Sequence, residues 1–108
     1  MDRRAITLEL FGNRAVVPAH VLVRHLDGES VLLNLESECY FGLDGTGTRM
    51  LDLVTNMPSI DAAYERLLGE FEVEPALLRE NMIELLNRLV ENGLLHLLPA
   101  DVGTTSTL

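Results

Sequence analysis

Cys39-Tyr40-Phe41-Gly42-Leu43-Asp44-Gly45-Thr46-Gly47-Thr48-Arg49-Met50-Leu51-Asp52-Leu53-Val54 is the stretch in which the chain changes its hydrophobic period. Cys39 to Leu43 is a short β-prone run. From Met50 onward the apolar residues Met50, Leu51, Leu53, Val54 and Met57 fall at helical spacing. Asp44 stands at the junction and suits a helix N-cap, because its carboxylate can accept from a free N–H of the first turn. Gly45 and Gly47 weaken that turn but permit close packing. Pro58 stops the helix.

Upstream, the pattern is β. Val21 to Leu26 and Ser30 to Leu35 flank Asp27-Gly28-Glu29. Two β-prone runs around Asp-Gly predict a hairpin, since Gly tolerates the positive φ of a tight turn. Glu36-Ser37-Glu38 is a second polar break before Cys39 to Leu43. These runs predict a three-stranded antiparallel meander. Ala5 to Leu10 alternates apolar and polar and predicts an extra N-terminal strand. Gly12-Asn13 is a turn signal, and Val16-Val17-Pro18 reads as extended.

Downstream, the pattern is helical. Ser59 caps a second helix whose apolar stripe is Ile60, Ala63, Tyr64, Leu67, Leu68 and Phe71. Pro75 suits the first turn of a third, running to about Glu91. In it, Glu84 and Arg88 form a favourable i,i+4 pair. Asn92-Gly93 ends it. Leu94 to Leu98 is a last short extended piece. The fold class is therefore α+β: a small winged helix-turn-helix-like domain with a three-stranded antiparallel N-terminal sheet followed by three helices. Residues 1–19 form an N-terminal extension, 20–98 the domain and 99–108 a flexible tail.

Charge narrows the functions. The 108 residues carry 17 Asp plus Glu against 8 basic residues, all Arg, for a formal charge of −9. Nucleic acid and anionic membranes need a basic surface, so neither is an expected partner. No apolar run approaches a membrane-spanning length. Nothing marks a secretory signal, and the one cysteine cannot form an internal disulfide, which fits the reducing cytoplasm.

Catalytic chemistry is poorly supplied. His20, His25 and His96 are far apart in sequence, and no Cys/His pair has zinc-ligand spacing. Cys39 lacks a nucleophile elbow or a glycine-rich oxyanion loop, so it reads as a small strand residue. The glycines at 42, 45 and 47 lack a P-loop lysine and match no dinucleotide fingerprint. The carboxylates sit in polar turns with no apolar flank to raise a pKa. No catalytic residue, metal or cofactor is expected, and a binding module is favoured over an enzyme.

Two features suit binding. Cys39 to Leu43 is the last strand of the meander; at a sheet edge it could accept an extended peptide, and Gly42 leaves the approach clear. The third helix also has an apolar arc wider than one core face needs. Leu78, Met82, Leu85 and Leu89 cluster on the helical wheel, Ile83, Leu86 and Val90 extend the arc, and Arg79 falls within the extension, placed to meet a carboxylate.

The same residues carry a resemblance. Asp27 to Leu35, Tyr40 to Asp44, Gly47-Thr48-Arg49-Met50 with Leu53, and the closing Leu86 to Leu95 together resemble the PqqD family in order and spacing. The resemblance covers roughly His20 to Leu98. It implies a recognition element for ribosomally made, post-translationally modified peptides. In that family the leader segment of a precursor peptide docks as a strand beside the third strand, in a groove closed by the third helix. The domain then delivers the precursor to a modifying enzyme or leader peptidase. Lasso-peptide members look nearest.

Carried onto this chain, the peptide-binding residues are Cys39, Tyr40, Phe41, Gly42 and Leu43 on the strand. On the helix wall they are Arg79, Met82, Ile83 and Leu86. Leu51 stands where such sequences often have Trp, a change in core packing. The N-terminal extension lies outside the resemblance; it could pair with the free edge or drive homodimerisation. The competing assignment for a winged helix is a transcription regulator, which the acidic third helix (Glu80, Glu84, Glu91) disfavours.

Overall fold

The computed structural model describes residues 11–99. Eight elements follow in order: β1 (Asn13–Val16), β2 (Val21–Leu26), β3 (Glu29–Asn34), β4 (Tyr40–Leu43), α1 (Gly45–Asn56), α2 (Ile60–Glu70), α3 (Pro75–Glu91) and β5 (His96–Pro99). The meander is an antiparallel sheet of order β2-β3-β4, and the three helices follow it as expected.

Each junction has a local cause. Leu26 pairs with Glu29, leaving Asp27 and Gly28 as a two-residue turn with φ of 52° and 84°. Positive φ at both positions gives the turn the twist of the flanking strands. Asp44 caps α1, its Oδ1 accepting from the Gly47 N–H at 2.8 Å. A Cβ on Gly47 would come within 3.3 Å of the Leu43 side chain, so the small residue lets α1 start directly beneath the strand end. Ser59 caps α2 through the Ala62 N–H at 3.1 Å. Caps of this kind contribute about 1 kcal/mol each.

The C-terminus of α3 closes with Gly93 at φ 70°. The Leu94 N–H reaches Leu89 O at 2.8 Å and the Gly93 N–H reaches Val90 O at 3.0 Å. These two bonds satisfy carbonyls the helix would otherwise leave free.

Ser30, Leu32 and Asn34 of β3 point inward and are buried, as is Leu43. They pack with Met50 and Val54 of α1, Ile60, Ala63 and Leu67 of α2, and Leu78, Met82, Leu86 and Leu89 of α3. Buried polar groups are paired. Ser30 Oγ and Thr48 Oγ1 share a 2.7 Å hydrogen bond. Asn34 Nδ2 donates to Asn92 O at 3.1 Å, and its Oδ1 accepts from the Glu36 and Ser37 N–H groups.

The extension departs from expectation. The strand predicted at Ala5 to Leu10 lies outside the described residues. A strand does form at Asn13–Val16, where a turn was expected to begin, because it finds a partner 80 to 86 residues away: β1 pairs antiparallel with β5, Val16 opposite His96 and Asn13 opposite Pro99. The last strand accordingly starts two residues later than expected and takes in Pro99, which had been assigned to the tail. Phe11 is buried, edge-on to Tyr64 at 5.5 Å.

Candidate functional site

β4 has one neighbour, β3. Neither β1 of the extension nor the last strand β5 covers its free side, because these two pair with each other. Among the described residues the edge is open. The register shows which groups it presents. Asn34 N–H donates to Cys39 O at 2.8 Å, marking those two as a hydrogen-bonded pair. Along an antiparallel ladder such pairs alternate, so Phe41 and Leu43 turn their backbones to Leu32 and Ser30. Tyr40 and Gly42 therefore turn their N–H and C=O groups away from the sheet. A Cβ on Gly42 would meet nothing within 4 Å. Cys39 itself is exposed and precedes the strand.

A cleft of about 480 Å³ lies along this edge. Phe41, Gly42, Leu43 and Asp44 form one wall, and Thr46, Gly47 and Met50 of α1 form its end. Asn81, Glu84, Leu85 and Arg88 of α3 form the opposite wall. The α3 residues follow i, i+3, i+4, i+7 spacing, which places them on one face. The Arg88 guanidinium, predicted to pair with Glu84, lies 5.1 Å from the centre of the Phe41 ring. That contact spans the cleft from wall to wall.

The α3 residues expected on this wall are elsewhere. Met82 and Leu86 are fully buried in the core, and Ile83 is half-buried against it. Arg79 lies over Phe11, 4.2 Å from the ring centroid. That stripe has the same internal spacing as the cleft stripe but is offset by two residues, about 200° around the helix. An apolar arc broad enough to include Leu78, Met82, Ile83, Leu85, Leu86 and Leu89 does not specify which part faces the sheet edge. The polar residues Asn81 and Glu84 beside Leu85 were the available signal, since a partly wet cleft has a mixed lining.

Other candidate chemistry is sparse. His20 approaches His96, with ring centres 6.5 Å apart, rather than His25. Its Nδ1 lies 3.9 Å from Glu36. No three His, Cys, Asp or Glu side chains among the described residues come together as metal ligands. No helix there is long and apolar enough to cross a membrane. The arginines of α3 both lie over aromatic rings, which makes this helix a poor reader of phosphates.

Comparisons with known proteins fit this geometry. The family model described as coenzyme PQQ synthesis protein D (PqqD) matches residues 29–95. A solved structure of TbiB1 in complex with the TbiA(beta) leader peptide is 28% identical. It covers 75% of this chain and 94% of its own, with a TM-score of 0.67. A lasso peptide synthetase B1 complexed with the leader peptide shares the fold, with a TM-score of 0.69 at 24% identity, covering 77% and 98%. No curated protein matches the chain.

Proposed function

The chain belongs to the PqqD family, and on that premise we propose that it is a non-catalytic recognition protein for the leader segment of a ribosomally made precursor peptide. The observation that carries this is the open β4 edge running beside the α3 cleft. An extended leader adds as a fourth strand, pairing with the outward N–H and C=O groups of Tyr40 and Gly42. Each such hydrogen bond contributes about 0.5–1.5 kcal/mol net. Alternate leader side chains then enter the cleft against Phe41, Leu43 and Leu85, with Asn81, Glu84 and Arg88 at its margin. Backbone pairing supplies affinity and the side-chain positions supply selectivity. Two solved proteins of the same fold are complexes with leader peptides.

In this reading the protein works in the cytoplasm without a cofactor. It brings the bound precursor to a modifying enzyme or leader peptidase of lasso-peptide type. Of the residues expected at the site, Tyr40 to Leu43 serve directly. The wall role expected of Arg79, Met82, Ile83 and Leu86 passes to Asn81, Glu84, Leu85 and Arg88.

The test is a fluorescence-anisotropy titration with a labelled synthetic leader, its sequence taken from precursor genes sought in the genome that encodes this chain. Wild type binds saturably. Leu85→Glu weakens binding about tenfold with little change in melting temperature, because Leu85 is only half-buried and its α3 face borders the cleft. No binding by wild type, or equal binding by the variant, overturns the assignment.

A further inference from the structure

The charges lining the cleft are unevenly placed. Asp44 and Glu84 are its anions, and Arg88 is the one cation among the described residues that line it. Two contacts fix how α3 runs past β4. Asn92 O accepts from the Asn34 side chain, and the Asn34 N–H donates to Cys39 O, so the end of α3 lies at the Cys39 end of the sheet edge. One turn earlier, Arg88 lies over Phe41, 5.1 Å from its ring centre. A further turn back, about 6 Å along the axis, Glu84 and Leu85 fall beside Leu43, with Asp44 and Met50 at that end of the cleft.

Arg88 is held in place but not neutralised. The ion pairs that arginines make among the described residues belong to Arg49 and Arg66. A guanidinium over an aromatic face keeps its N–H groups for a carboxylate. The ring also restricts beforehand the side-chain freedom that such a pair would otherwise cost.

A strand added at β4 turns alternate side chains toward the cleft, one opposite Phe41 and the next opposite Leu43. Residues directly opposite have Cβ atoms about 5 Å apart, so the first reaches Arg88. The second meets Leu43, Leu85 and Met50, where Asp44 and Glu84 at the rim repel a carboxylate.

We propose that Arg88 is a specificity-determining residue: it selects leaders that place Asp or Glu opposite Phe41 and an apolar side chain two residues away, opposite Leu43. This rests on the leader-binding reading above and deepens it by naming the side-chain chemistry at two leader positions. It also gives a chain of formal charge −9 a local means of accepting an acidic peptide.

The test uses the full chain and the synthetic leader of the titration above. Each acidic leader residue is replaced in turn by Lys, and every peptide is titrated against wild type, Arg88→Gln and Arg88→Glu. Arg88 is exposed, and melting curves confirm that the variants fold. One acidic position stands out. Its Lys replacement weakens wild-type binding about tenfold and changes binding to Arg88→Gln little. The same Lys peptide binds Arg88→Glu more tightly than the unaltered leader does, a charge swap that a merely structural role for Arg88 would not produce. Replacing the apolar leader residue two positions away weakens binding to all three proteins alike. Raised salt shrinks the charge effect and spares the apolar one. Equal losses on all three proteins at every acidic position overturn the proposal. So does a bound leader that carries no acidic residue. Failure of wild type to bind leader removes the leader assignment and this one together, whereas binding without the charge swap removes only this one.

Discussion

The sheet has two edges, β2 and β4, and they differ in what lies beside them. Both are short, and both present backbone groups without a strand partner among the described residues. At β2 those groups belong to Val21, Val23 and His25, since Leu26 opposite Glu29 starts the alternation. Val21 N–H is already satisfied by Pro18 O at 3.0 Å. Arg24 and His25 put charged or polar side chains along the rest, a common protection against unwanted pairing. At β4 the outward residues are Tyr40 and Gly42, the second without a side chain, and α3 stands across a cleft from them. An edge becomes a binding site when an added strand can also bury side chains, and only β4 offers that.

The sharpest way to break this contrast is a proline on each edge. Gly42→Pro removes an outward N–H that makes no bond to β3, so the edge strand tolerates it. Leader affinity should fall by about 2–3 kcal/mol, roughly 30- to 150-fold, in an anisotropy titration, because the leader carbonyl opposite is left unpaired and the ring obstructs its approach. His25→Pro removes an outward N–H from β2 in the same manner and should leave leader affinity unchanged. Equal losses from both would mean that the two edges are not distinguished by the cleft.

Asn34→Ala comes next and concerns stability. The side chain joins the β3-β4 loop to the end of α3, and its loss leaves Asn92 O and two loop N–H groups without that partner. Denaturant unfolding should show a cost of about 2 kcal/mol. Hydrogen exchange should rise at Glu36, Ser37 and Cys39, next to β4, and not in β2. Uniform exchange across the sheet would count against a local role.

The smallest effect falls on both edges alike. Arg49 donates to Glu70 at 2.9 and 2.7 Å and joins α1 to α2, with Arg66 adding a third bond. Hydrogen bonding from Arg49, then its charge, holds the Glu70 carboxyl at about 2 against an ordinary 4.5. A depressed carboxylate stabilises the fold above the unfolded value, and that contribution disappears as pH falls from 4.5 toward 2. Glu70→Gln should therefore flatten the acid limb of the stability profile in that window. The pair is surface-exposed, so the change is small; an unaltered acid limb would show that the network contributes nothing.

Local chemistry made most of the fold legible. Asp27-Gly28 marked the hairpin, Asp44, Ser59 and Pro75 the three helix starts, and Asn92-Gly93 the last helix stop. Each signal acts within a few residues. The pairing of Asn13–Val16 with His96–Pro99 was not legible, because it joins distant segments with little periodicity of their own. The rotational setting of α3 was also hidden. Its apolar residues occupy more than half the helix circumference, and packing against α2 and the sheet decides which of them become core. Hence Tyr40 to Leu43 form the edge strand beside the cleft, while Arg79, Met82, Ile83 and Leu86 lie on a different face of α3 from the residues that line it.

The hydrogen bond from Asn34 to Asn92 spans 58 residues, and its consequence lies in the order of synthesis. The β4 strand leaves the ribosome well before α3 does, so for that interval its edge is exposed with no opposite wall. A nascent chain in this state offers bare strand edge to any extended segment nearby. Only when Asn92 has emerged and the loop is fastened to the helix end does the edge gain its cleft. Truncated chains that stop short of α3 should accordingly associate indiscriminately rather than bind weakly but faithfully.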